Sequence, residues 1–65
     1  GPLTASDLAL DGRGLMALAG LPPSRRVGQV QAWLLARVWE DPTRNTEAGL
    51  ADLLPAALAA VPERP

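Results

Sequence analysis

The longest uninterrupted helical pattern in this sequence covers residues 24–40 and lies between two proline boundaries. Its apolar side chains recur at the spacing of a helix that buries one face: Val27, Val30, Leu34, Leu35 and Val38. Prolines at 22–23 precede the segment and Asp41-Pro42 follows it, and a residue before proline is disfavoured in helical geometry. The pattern predicts a central helix over 24–40, with Ser24 as its N-cap.

The composition limits which structural elements can pack against that helix. The chain has 65 residues, and a chain of this size buries only about 60% of the surface that its unfolded form exposes. Cysteine and histidine are absent, which excludes disulfides and thiolate or imidazole metal sites. Alanine and leucine dominate over β-branched residues, so we expect an all-α domain, a small bundle of three to five helices around the central one.

Domain boundaries follow from the same composition. We expect one helical domain over residues 3–60, because no segment is long enough to link two domains. Gly1-Pro2 is typical of the remnant left by cleavage of a purification tag, and residues 61–65 are expected to fray.

Capping residues predict the N-terminal elements. Thr4 and Asp7 have the spacing of a capping box, which indicates one or two helical turns or an extended segment over 5–10. Asp11 is predicted to cap a second short helix, which Gly20 ends because glycine tolerates left-handed backbone geometry.

The C-terminal third predicts a further helix. Asn45 is its predicted N-cap, and the leucines of residues 50–54 form its apolar side. Pro55 is expected to break or re-cap this helix. In the central helix, Gly28 is expected to permit close approach of the first helix.

A second pattern lies beside the apolar face of the central helix. At about 100° per residue, Arg26, Trp33 and Arg37 share one flank, and Trp39 lies on the opposite flank. Guanidinium groups around an indole can pair with phosphates and stack on an exposed base. Alternatively, Trp33 covers the edge of a small core and the arginines solvate the helix.

Charge is unevenly distributed along the chain. The net charge of −1 argues against a free-standing nucleic-acid-binding domain, which is normally basic. Residues 25–44, however, carry four arginines and two acidic residues. The candidate contacts to phosphate and ribose of structured RNA therefore lie in this middle third: Arg25, Arg26, Trp33, Arg37 and Arg44.

The residue inventory argues against catalysis. Histidine, cysteine, lysine and tyrosine are absent, so no ordinary base or nucleophile is available. Asp7 and Asp11 could hold a magnesium ion, but both occupy positions where helix caps belong. We expect no catalytic residue, metal site or cofactor. No apolar run reaches the length of a membrane span and no signal-peptide pattern is present, so we expect a cytoplasmic location without a membrane partner.

Residues 7–54 combine short motifs in a specific order. An Asp-Leu pair is followed by Gly-Arg, Leu-Met, Gly-Leu-x-Pro, Val-Gly and finally Pro-x-x-Asn-Thr. This order resembles the C-terminal tail domain of bacterial class II tRNA nucleotidyltransferases, the CCA-adding enzymes and poly(A) polymerases. The positions that match are Asp7, Leu8, Gly12, Arg13, Leu15, Met16, Leu18, Gly20, Leu21, Pro23, Val27, Gly28, Leu34, Leu35, Val38, Pro42, Asn45 and Thr46.

Two positions depart from the family pattern. The acidic residue that follows Gly-Arg in the family is Gly14 here, and the family's Gly-Pro after the proline is Ser24-Arg25. The first departure removes a polar anchor, and the second adds a positive charge in place of a glycine-rich turn.

The resemblance implies a non-catalytic module that holds the elbow of a tRNA while a separate head domain adds nucleotides. The catalytic carboxylates of the family belong to that head domain. The competing interpretation is a helical protein-docking or dimerisation module that uses Trp33 or Trp39 as an anchor. DNA binding through the turn at 20–24 is less favoured, because its two prolines lack N–H donors.

Overall fold

The computed structural model describes residues 4–63, which form an all-helical bundle. Its three α-helices are α1 at Gly12–Ala19, α2 at Arg25–Glu40 and α3 at Glu47–Ala60. Two short 3₁₀ turns, at Ala5–Asp7 and Pro42–Arg44, precede α1 and α3. Within residues 4–63 no strand is present, so the predicted fold class is confirmed.

Helix α2 is the centre of the bundle, as its periodicity predicts. Four of the five predicted apolar residues on α2 are buried, and Leu35 is half-buried. Leu15 of α1 and Leu50 of α3 are fully enclosed in the same core. Burying a leucine side chain contributes about 1.5 to 3 kcal/mol, so each leucine in this core stabilises the bundle by about that amount.

The ends of α1 and the C-terminus of α2 agree with the predictions. The Asp11 carboxylate accepts a hydrogen bond of 2.8 Å from the Gly14 N–H and so caps α1. Gly20 ends α1 in the left-handed region, with φ of 68°. Asp41 ends α2. Ser24 occupies the N-cap position of α2, but its side chain makes no capping hydrogen bond, so that part of the prediction is wrong.

The start of α3 differs from the prediction by one residue. Thr46 is the N-cap, because its Oγ1 accepts from the Gly49 N–H at 2.9 Å. Asn45 instead joins the loop to the N-terminal segment. Its side-chain amide donates to the Asp7 carbonyl at 2.9 Å, and its Oδ1 accepts from the Ala9 N–H at 2.7 Å.

Two further predictions are contradicted. Helix α3 continues through Pro55, whose ring is exposed while Leu54 and Ala57 beside it are buried in the core. Core packing on both sides therefore outweighs the loss of one backbone N–H donor. Gly28 is exposed, and a Cβ built on it would meet no atom within 4 Å, so α1 does not approach α2 there.

The two ends of the chain are described only in part. The Asp7 carboxylate accepts from the Thr4 N–H at 2.7 Å, and this bond lowers the pKa of Asp7. Val61, the first residue of the expected frayed tail, packs against the core. The expected tag remnant at residues 1–2 and the last two residues of the tail lie outside the described residues.

Candidate functional site

The five predicted RNA-contacting residues are spread along α2 and the turn after it. Arg25 and Arg26 begin α2, whereas Arg37 lies near its end and Arg44 follows it. At a rise of about 1.5 Å per residue, Arg25 and Arg37 are roughly 18 Å apart along the helix axis. The candidates therefore divide into two groups, one at each end of α2.

In the group towards the C-terminal end, Arg37 and Trp33 contact each other on the flank that they were predicted to share. The Arg37 guanidinium carbon lies 4.7 Å from the centre of the Trp33 ring, which is a cation–π contact. Nη2 of Arg37 also donates to Oε1 of Glu40 at 3.1 Å. The positive charge of Arg37 is therefore already balanced by a neighbouring carboxylate.

Arg44 is balanced in the same way. Its Nε lies 3.6 Å from Oδ2 of Asp41. The Thr43 hydroxyl and the Thr43 N–H both donate to Asp41. These bonds lower the pKa of that carboxyl, and the hydroxyl has the larger effect. Because Asp41 remains charged well below neutral pH, the C-terminal end of α2 offers an anion little net attraction.

Arg26 lies on the predicted flank but bonds to the end of α3. Its Nε donates to the Val61 carbonyl at 2.7 Å, and its Nη2 donates to the Leu58 carbonyl at 3.2 Å. These carbonyls are at the negative end of the α3 dipole, where a cation is favourable. Sequence reasoning missed this role, because Arg26 and Val61 are 35 residues apart and no local motif joins them.

Replacing Arg26 with methionine should lower the free energy of unfolding by about 1 kcal/mol, because the aliphatic part of the side chain is kept while its hydrogen bonds to α3 are lost. Urea unfolding followed by circular dichroism measures the change. The matched control is Arg25→Met, one residue away at an exposed position, which should change stability by less than about 0.5 kcal/mol. Equal losses in the two variants would contradict the capping role.

The other end of α2 opens onto a groove. We call it the N-terminal groove; it lies between the α1–α2 turn, the first turns of α2 and the chain after α3. Its lining includes Leu21, Arg25, Arg26, Gln29 and Glu63. Arg25 is exposed, and its side chain has no ion pair or hydrogen bond with any residue from 4 to 63.

The backbone adds to the positive character of this groove. Helix α2 has neither an acidic residue in its first turn nor a side-chain cap, whereas α1 has a side-chain cap and α3 has both. Among the described residues, the N–H groups of Arg25 and Arg26 have no hydrogen-bond partner. A helix N-terminus carries a partial positive charge, so these donors and the Arg25 guanidinium favour an anion, while Glu63 on the rim opposes one.

Residues 4–63 lack the features of a metal site and of a membrane span. This part of the chain contains no group of three or more acidic, cysteine or histidine side chains placed to hold a metal ion. It also contains no helix with the length and apolar character that a membrane span requires.

Comparison with protein-family models, curated proteins and solved structures found no match for this chain.

Proposed function

We propose that this chain is a non-catalytic RNA-binding module that holds the phosphate backbone of a tRNA for a nucleotidyltransferase-like protein. The observation that carries the proposal is the N-terminal groove, where the uncapped start of α2 and the exposed Arg25 present donors to the same space. Phosphate is the group on RNA that accepts from such donors.

The chemistry of the groove suits backbone recognition. A phosphate oxygen there can accept from the Arg25 guanidinium and from the free backbone N–H groups of the first turn of α2. Arg26 is held in place by its two bonds to α3, so ordering that side chain adds little entropic cost when a ligand binds. Phosphate contacts carry no sequence information, so the module reads the position and shape of the RNA.

The resemblance of residues 7–54 to the tail of CCA-adding enzymes supports tRNA as the ligand. At the departure from the family pattern, Arg25 adds a positive charge beside the groove. Because one groove and a net charge of −1 give limited electrostatic attraction, we expect weak, salt-dependent binding by the isolated chain.

Replacing Arg25 with alanine should weaken tRNA binding and reduce the slope of log affinity against log salt by about 1, the change expected for one lost phosphate contact. Fluorescence anisotropy of labelled tRNA over a salt series measures both quantities. Arg26 is left unchanged in this test, because its removal would also disturb the end of α3.

The matched control is Arg13→Ala, which removes the same charge from an exposed position at the far end of α1 from the groove. Binding by this variant should be close to that of the unchanged chain. Equal losses from Arg13→Ala and Arg25→Ala would mean that net charge alone attracts the RNA, and the groove would not be the site.

A further inference from the structure

We propose that Gln29 is a specificity-determining residue, which recognises the 2′-hydroxyl of the ribose next to the phosphate bound in the N-terminal groove. The groove then selects RNA over DNA. This role rests on the proposed function, because it needs a phosphate held by Arg25. It adds the kind of sugar that this phosphate must carry.

Gln29 is placed to contact the same ligand as Arg25. It lies one turn after Arg25 on α2, and both residues line the N-terminal groove. Both are exposed, and neither side chain makes a hydrogen bond with any residue from 4 to 63. Residues four apart on a helix have Cβ atoms about 5 to 6 Å apart, so a ligand bound to one of these side chains is within reach of the other.

The other glutamine of α2 has a different environment. Gln31 is half-buried and does not line the groove. Its Nε2 lies 3.7 Å from the position that a Cβ on Gly12 would occupy, so this side chain lies beside α1. The two glutamines therefore lie on different sides of α2, and Gln29 is the one that shares a space with Arg25.

The chemistry of the carboxamide matches that of a ribose. A 2′-hydroxyl both donates and accepts hydrogen bonds, and the Gln29 side chain carries an NH₂ donor and a carbonyl acceptor. In RNA the 2′-hydroxyl and the 3′-phosphate are attached to neighbouring carbons of one sugar. The wide, shallow minor groove of A-form RNA displays these hydroxyls, so a side chain on a helix surface can reach them. DNA lacks this hydroxyl and offers the amide no such partner.

The other polar groups of the groove leave the ribose to Gln29. The groove has a volume of about 600 Å³, within the range of roughly 300 to 1,000 Å³ that is usual for small-ligand sites, so it can hold a phosphate together with its sugar. Ser24 lies beside the free N–H groups, where phosphate is favoured. Arg26 is bonded to the end of α3, and the negative charge of Glu63 repels a phosphate from the opposite rim.

Binding of one tRNA sequence, synthesised either with ribose or with 2′-O-methylribose throughout, tests the proposal. Methylation removes the hydroxyl donor, so the unchanged chain should bind the ribose form more tightly. Gln29→Ala should weaken binding of the ribose form by about three- to tenfold, the change expected for one hydrogen bond. The same variant should bind the methylated form almost as the unchanged chain does. Fluorescence anisotropy of the two labelled tRNAs at one low salt concentration measures all four affinities.

The matched control is Gln31→Ala, the same substitution on the same helix but outside the groove. This variant should keep the preference of the unchanged chain for ribose, and circular dichroism verifies that both variants retain their helices. If Gln29→Ala kept that preference, or weakened binding of the two forms equally, the proposal would be overturned. The phosphate contact of Arg25 would be unaffected by that result.

Failure of the proposed function gives a different result. If the unchanged chain bound neither form of the tRNA, no phosphate would occupy the groove, and both the function and the role of Gln29 would be overturned. If Arg25→Ala weakened binding and Gln29→Ala changed nothing, the groove would hold a phosphate without recognising its sugar.

Discussion

Replacing Leu34 with alanine should lower the free energy of unfolding by about 2 to 5 kcal/mol, the usual cost of a buried cavity. Leu34 is 1% exposed and lies in the middle of α2, the helix against which α1 and α3 pack. Stability of about 0.05 to 0.15 kcal/mol per residue corresponds to roughly 3 to 10 kcal/mol for a chain of this length. The expected loss is therefore a large fraction of the total stability. Thermal and urea unfolding followed by circular dichroism would measure the loss.

A matched substitution on the surface distinguishes the effect of burial from the effect of removing the same atoms. Leu18 of α1 is 53% exposed, and Leu18→Ala removes the same atoms as Leu34→Ala. We expect a change of less than about 1 kcal/mol, because little apolar area is returned to water. Similar losses at the two positions would contradict the assignment of α2 as the centre of the core.

The features that sequence reasoning predicted correctly depend on nearby residues. The spacing of the apolar side chains of α2 predicts its buried face, since a helix repeats every 3.6 residues. Asp11 and Gly20 are recognised as the ends of α1 because capping and left-handed geometry depend on the local chain. The helical projection also places Arg37 and Trp33 on one flank, and they contact each other there because they are four residues apart on one helix.

The features that sequence reasoning missed depend on residues far apart in the chain. Arg26 bonds to carbonyls 32 and 35 residues away, and Asn45 bonds to backbone groups 36 and 38 residues away. Local propensity assigns Asn45 to a helix cap, because asparagine is a favoured N-cap when its side chain has no partner elsewhere in the chain. The path of α3 through Pro55 also depends on core packing that no local pattern encodes.

The contacts of the arginines on and near α2 change their interpretation. Arg26 stabilises the end of α3, Arg37 and Arg44 are paired with acids, and Arg25 has no bonded partner in residues 4–63. Sequence alone places all four in one basic segment. The acidic residues at the end of α2 indicate partners for Arg37 and Arg44, but nothing local indicates the partner of Arg26. The separation of these roles is the reason that a single substitution at Arg25 tests binding more directly than removal of several arginines.

The same substitution at two glycines should have opposite effects on stability. Gly49→Ala should lower the free energy of unfolding by about 2 to 3 kcal/mol, since it combines overpacking with damage to a helix cap. Gly28→Ala should raise that free energy by about 0.4 to 1 kcal/mol, because alanine reduces the entropy of the unfolded chain and favours helix. Urea unfolding of both variants under one set of conditions measures the difference.

The structure gives the reason for the opposite signs. A Cβ on Gly49 would overlap the Arg44 carbonyl oxygen and lie 3.0 Å from Oγ1 of Thr46. Neither group can move freely, because the Arg44 carbonyl accepts from the Thr46 N–H at 2.8 Å and Oγ1 of Thr46 caps α3. A Cβ on Gly28 would meet open space. If Gly49→Ala were neutral or stabilising, the close packing of the Arg44–Thr46 turn against the first turn of α3 would be contradicted.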